Sequence, residues 1–202
     1  KSAVLANLRR NIKDYPHGLL LFKDRRKIEY LDRELKQILE DAFYVESKIG
    51  KEFALLNMLK IKYIKARDGK MAWREAMKAA SEDLIRDGYF DERYVREAIG
   101  NVEEYGSYII VNKGIALAHA RKESGVYEDG LSLLVSKDGI LFDEGEAVHL
   151  LFFFSQKGET DYLDLFKEII KLGKDQNDVD RIRNLTDSME IYRTMWEILS
   201  RN

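Results

Sequence analysis

The chain contains no cysteine, so its own residues can form neither a disulfide nor a thiolate metal site. Proline occurs once, at Pro16, and histidine three times, at His17, His119 and His149. Three scattered imidazoles without sulfur ligands argue against a metal centre, and no cofactor is expected. Charge of one sign is also lacking: 34 basic residues face 36 acidic ones, a net charge of −2 over 202 residues. That balance gives no overall field to draw in nucleic acid or an anionic membrane. Apolar runs are short, as in Leu150–Phe154, whereas a helix spanning a bilayer needs about 20 apolar residues. No segment has the basic start, apolar middle and small-residue end of a signal peptide. The absence of cysteine fits a reducing cytoplasm, and a cytoplasmic location is the expectation. The first residue is Lys1 rather than methionine, which leads to the expectation of a piece of a longer protein with neighbouring domains.

What is present suffices for one sizeable domain, or for one domain plus a small appendage, since 45% of residues are hydrophobic. The composition changes near residue 51. Residues 1–50 are highly charged and read as a helical extension or interdomain linker. A first helix over Ala3–Tyr15 is broken by Tyr15-Pro16-His17-Gly18, because proline lacks a donor and restricts the residue before it. A second helix carries Ile28, Leu31, Leu35, Ile38, Leu39 and Phe43 on one stripe. That stripe must be covered by the following domain, by an absent domain, or by a second copy in a homodimer. The basic clusters Arg9-Arg10 and Arg25-Arg26-Lys27 are diluted by Asp24, Glu29 and Asp32. They read as solvated helix faces, with no direct nucleic-acid contact.

Residues 51–202 alternate helix and strand patterns. Phe53–Ile64 predicts a short helix passing into a strand at Ile61 and Tyr63. Amphipathic helices are expected over Trp73–Gly88, Asp91–Glu103 and Asp161–Leu172, with Gly88 and Gly173 as stops. One helix or a pair covers Asp178–Leu199. Runs rich in Val, Ile, Leu and Phe predict strands at Tyr108–Val111, Leu131–Val135 and Val148–Phe154. The acids Asp138, Asp143, Glu144 and Glu146 fall in an expected hairpin loop and read as solubilising charge. The class is α/β: a layered sandwich with a mixed sheet flanked by helices, preceded by the helical extension.

One stretch carries chemistry. An apolar run ends in the glycine turn Lys113-Gly114, then Ile115-Ala116-Leu117-Ala118 delivers His119, followed by Ala120, Arg121 and a second turn at Gly125. A free imidazole titrates near ~6.5, so it offers a neutral, nucleophilic nitrogen at cellular pH. The small residues around it admit a protein donor. Arg121 can neutralise charge on a transferred phosphoryl group. Taken alone, one histidine among alanines is more often structural than catalytic. His149, at the start of a strand, reads as structural, and His17 as an exposed turn residue.

The stretch Gly114 to Val126 resembles the active-site motif of the mannitol/fructose-class enzyme IIA domains of the bacterial sugar phosphotransferase system. It is most similar to their ascorbate-type branch, where an arginine two places after the histidine is followed by a glutamate and Gly-Val, here Glu123 and Gly125-Val126. Ala72-Trp73-Arg74-Glu75-Ala76-Met77 resembles the family's first-helix signature, and Asp87-Gly88-Tyr89-Phe90-Asp91 its segment before the second helix. The resemblance spans roughly residues 52 to 199. It implies that His119 takes a phosphoryl group from the phosphocarrier protein HPr and passes it to a IIB domain. It also admits a second role, as the sugar-flux-sensing domain of a multidomain transcriptional regulator, which the extra N-terminal residues favour. Two positions depart from the family pattern. Residue 118 is alanine where much of the family has proline. The family's second histidine is missing: an ungapped comparison puts Asp161 there, and a one-residue slip puts Tyr162. A carboxylate there can orient His119 but repels a phosphoryl group, whereas a tyrosine can donate one hydrogen bond. Glu103 matches an acid carried by ascorbate-type relatives and completes the candidate site.

Overall fold

A computed structural model describes residues 52–143 and 147–201. The expected N-terminal helices, the Ile28–Phe43 stripe, the basic clusters, His17, Glu144 and Glu146 lie outside the described residues. In chain order the elements are α1 (Ala54–Met58), β1 (Ile64–Arg67), β2 (Met71–Ala72), α2 (Trp73–Arg86), α3 (Glu92–Tyr105), β3 (Ile110–Asn112), β4 (Ile115–Ala118), β5 (Gly130–Leu141), β6 (Val148–Ser155), α4 (Leu163–Leu172), α5 (Gln176–Arg183) and α6 (Ser188–Leu199). Short 3-10 turns occupy Ile61–Tyr63 and Lys122–Ser124.

The helix ends follow from local chemistry. Asp91, Asp175 and Asp187 precede α3, α5 and α6, and each carboxylate accepts amide protons that the first turn leaves unpaired. After α2, Gly88 takes a positive φ of 81°. The Tyr89 amide then donates to the Leu84 carbonyl and the Gly88 amide to that of Ile85, closing the helix.

The strands form one mixed sheet in the order β1-β5-β6-β4-β3, with β2 also pairing β5. β5 and β6 are antiparallel, β1 and β2 run parallel to β5, β4 runs parallel to β6, and β3 and β4 form a hairpin. Helices cover both faces. On one, α2 and α3 bury Trp73, Met77, Leu84 and Tyr94 against Ala116, Ala118, Leu134, Leu151 and Phe153. On the other lie α4, α5 and α6, with Ile169, Val179, Ile182 and Met195 fully or nearly buried. Among the described residues no helix is long and apolar enough to cross a membrane.

Several elements differ from expectation. Ile61 and Tyr63 form a turn rather than a strand, because Tyr63 is drawn inward: its ring meets Tyr89 edge-on at 5.5 Å and its hydroxyl donates to Asp87 at 2.8 Å. The strand predicted at Tyr108–Val111 starts at Ile110, after a turn in which the Ile110 amide donates to the Ser107 carbonyl. Asp138 is not a loop residue. It lies within β5, beside an irregularity in the β5–β6 register, and accepts from the Gly69 amide at 2.7 Å. α4 starts at Leu163 rather than Asp161. The C-terminal segment is a pair of helices, separated where Asp187 starts the second.

The packing makes a prediction. Phe153 is fully buried, with Phe90 stacked at 5.5 Å and Tyr94 edge-on at 6.0 Å. Phe153→Ala removes a whole ring from this cluster and should cost about 3–5 kcal/mol. The loss should appear in urea unfolding as a lower midpoint with an unchanged slope.

Candidate functional site

The site is built at the end of β4. This strand reads Ile115-Ala116-Leu117-Ala118, and all four residues are buried. It shows no apolar/polar alternation, because both of its faces are covered. The two alanines lie on the face crowded by Tyr94 and Phe153, where larger side chains would not fit. β4 pairs with β6 as far as Ala118 opposite Phe153. Beyond that point the chain leaves the sheet, and His119 is exposed.

Two contacts hold the departing segment. The Ala120 amide donates to the Tyr94 hydroxyl at 3.1 Å, and that hydroxyl donates to the Phe154 carbonyl at 2.8 Å. Tyr94 thereby ties the end of β4 to the end of β6, and burial pushes its phenol up to about 12. Further on, Gly125 has a φ of +98°, and a Cβ there would lie 2.6 Å from the Asp91 carboxylate. The Gly125 carbonyl accepts from the Asp91 amide at 3.1 Å. The Gly125-Val126 part of the motif is therefore the piece that docks on the start of α3.

The His119 ring sits between two flanks. Its Nδ1 lies 3.1 Å from the Leu117 carbonyl. A carbonyl oxygen only accepts, so this contact selects the tautomer with the proton on Nδ1 and leaves Nε2 its lone pair. On one flank Tyr108 meets the ring edge-on at 5.9 Å, and Tyr105 meets Tyr108 at 6.3 Å. On the other is a groove of about 600 Å³ whose lining includes Leu117, His119, Lys122, Phe154, Gln156, Glu159, Phe166, Ile169 and Ile170. Its walls are mostly apolar. Lys122 and Glu159 form an ion pair within it. Gln156 donates to the Gly158 and Thr160 carbonyls, shaping the loop that carries Glu159.

The sequence-predicted residues are only partly gathered here. Arg121 is exposed and does not line the groove. Its charge acts instead on Tyr105, whose phenol is raised by a hydrogen bond with Glu104 more than Arg121 lowers it. Glu103 is bound to Arg74 at 2.8 Å, and Arg74 in turn covers the Trp73 ring at 4.2 Å. Asp161 accepts from the Leu163 amide at 2.8 Å, a helix-start role. The Tyr162 hydroxyl donates to Asp129 at 2.6 Å, and its ring packs on Phe154 at 5.1 Å. Neither Asp161 nor Tyr162 lines the groove. His149 stands at the opposite end of the paired strands, beside Gly114, with Nδ1 2.9 Å from the Ser136 carbonyl. Sequence reasoning misses Tyr94, Tyr108, Lys122, Gln156 and Glu159 as parts of the site. Of these only Lys122, three places after His119, carries a usable signal.

A family model described as phosphoenolpyruvate-dependent sugar phosphotransferase system, EIIA 2, matches residues 57–197. The chain belongs to that family. The ascorbate-specific phosphotransferase EIIA component of Escherichia coli K12 is 27% identical over 122 residues, covering 59% of this chain and 79% of the relative. The crystal structure of a putative phosphotransferase IIA (PtxA) from Streptococcus mutans aligns with a TM-score of 0.62 at 27% identity, covering 68% of this chain and 89% of that one. The mannitol IIA of Escherichia coli, solved in complex with phosphorylated mannitol IIB, shares the fold at a TM-score of 0.55 and 19% identity, covering 66% of this chain and 93% of its own.

The positions of Asp129 and Tyr162 make a second prediction. Burial raises the Asp129 carboxyl, but the Tyr162 hydroxyl and the Lys157 amide outweigh it, and the net shift is downward. A depressed carboxyl stabilises the fold above its unfolded value near ~3.9 and loses that contribution as pH falls through its folded value. Tyr162→Phe should cost about 1 kcal/mol at pH 7, after allowance for solvent exposure. In urea melts, the variant and the parent should converge as pH falls below about 4.

Proposed function

We propose that His119 accepts a phosphoryl group on Nε2 from HPr, and that this EIIA domain reports sugar flux within a multidomain transcriptional regulator. The observation that carries the first part is the pairing of an exposed ring with a tautomer whose Nε2 keeps its lone pair. Transfer needs no net proton movement. As the Nε2–P bond forms, the donor's N–P bond breaks and its electron pair returns to the donor nitrogen. The single ring N–H proton stays on Nδ1, donated to the Leu117 carbonyl.

The sensor role is supported by the surroundings of His119: neither Asp161 nor Tyr162, the positions that match the family's second histidine, lines its groove. Acceptance without a second imidazole suits a slow, regulatory phosphorylation better than rapid relay. A phosphoryl group would add roughly two negative charges at the groove and alter docking there. A carrier role, passing the group to a IIB component, is the second reading. The mostly apolar groove beside His119 favours it, since that surface suits a protein partner.

Incubation with phosphoenolpyruvate, enzyme I and HPr should label the protein. The label should be acid-labile and absent from His119→Ala. Retention of label in His119→Ala overturns the assignment. Rapid loss of label on adding a IIB protein would select the carrier over the sensor.

A further inference from the structure

A phosphoryl group on His119 needs a cation, and the residue expected to supply it, Arg121, does not line the groove. Lys122 does. Lys122 and Glu159 are the two charged side chains in the groove lining, and they are paired with each other. Both are well exposed, at 40% for Lys122 and 88% for Glu159. An exposed pair of this kind is weakly held, and the four-carbon lysine stem allows its ammonium to move.

We propose that Lys122 is a phosphoryl-binding catalytic residue, which leaves Glu159 and pairs with the phosphoryl oxygens when His119 becomes phosphorylated. This rests on the reading of His119 as phosphoacceptor. The charges decide the direction of exchange: a phosphoryl group carries about −1.5 to −2, against the single charge of Glu159. Lys122 retains its protons throughout, and the bond changes are those at the donor nitrogen, phosphorus and Nε2. The lysine supplies from the groove side the charge stabilisation that Asp161 and Tyr162, committed elsewhere, do not.

Single mutants of the full chain test this, with phosphorylated HPr as one donor and the small molecule phosphoramidate as another. Lys122→Met should slow labelling of His119 about tenfold and shorten the lifetime of the phosphohistidine. Lys122→Arg should restore most of the rate. Glu159→Gln should accelerate labelling, because it frees the ammonium. A purely structural ion pair predicts instead that Lys122→Met and Glu159→Gln behave alike, and that result overturns the proposal. So does labelling of Lys122→Met at the parental rate. If His119 is labelled by phosphoramidate but not by HPr, the donor assignment fails while the Lys122 comparison still stands. If neither donor labels it, both readings fall.

Discussion

Ile115 to Ala118 lie opposite Leu150 to Phe153 in parallel register, and this pairing fixes where the chain leaves the sheet. β3 closes the other edge of β4. A strand paired on both edges and buried on both faces has little freedom, so the residue that follows it departs from a set point. His119 is that residue. The Tyr94 hydroxyl then holds Ala120 to the end of β6, and the Leu117 carbonyl, two residues back, sets the ring's tautomer. The position and the protonation pattern of the His119 ring thus both derive from one short strand.

Electrostatics around the ring follow from which charges are already committed. Glu103 is held by Arg74, Asp161 by the start of α4, and Tyr162 by Asp129. The charged pair left in the groove is Lys122 with Glu159. Apolar walls from Leu117, Phe154, Phe166 and Ile169 surround it, and exclusion of water by a docked partner would strengthen any charge interaction there. As it stands, the two opposite charges in the groove offset each other.

Much of the fold is legible in the sequence. The helices α2, α3 and α4 show in apolar spacing and in the aspartates and glycines at their ends, and β5 and β6 in dense runs of leucine, valine and phenylalanine. β4 does not read as a strand. Its alanines look like a small-residue run, and their cause, the bulk of Tyr94 and Phe153 across the face, is a tertiary fact. β2, of two residues, is too short to leave a pattern. At the site, His119 is readable through its motif, but its surroundings are not. Whether Asp161 or Tyr162 reaches the groove depends on where α4 begins. A start two residues later than expected puts Asp161 at the helix entrance and turns Tyr162 toward Asp129. Glu103 is drawn away by Arg74, 29 positions earlier in the chain, a pairing no local pattern reveals.

Alanine at position 118 fits the same picture. A proline there, as in the motif the stretch resembles, would fix the backbone from within by locking φ. Ala118 carries no such lock. Its place is set from outside, by pairing opposite Phe153, by complete burial among the aromatic rings, and by the Tyr94 bridge two residues later. Rigidity before the histidine is therefore retained, but it now depends on α3. A disturbance at Tyr94 would loosen the segment carrying His119 in a way that a proline at 118 would resist.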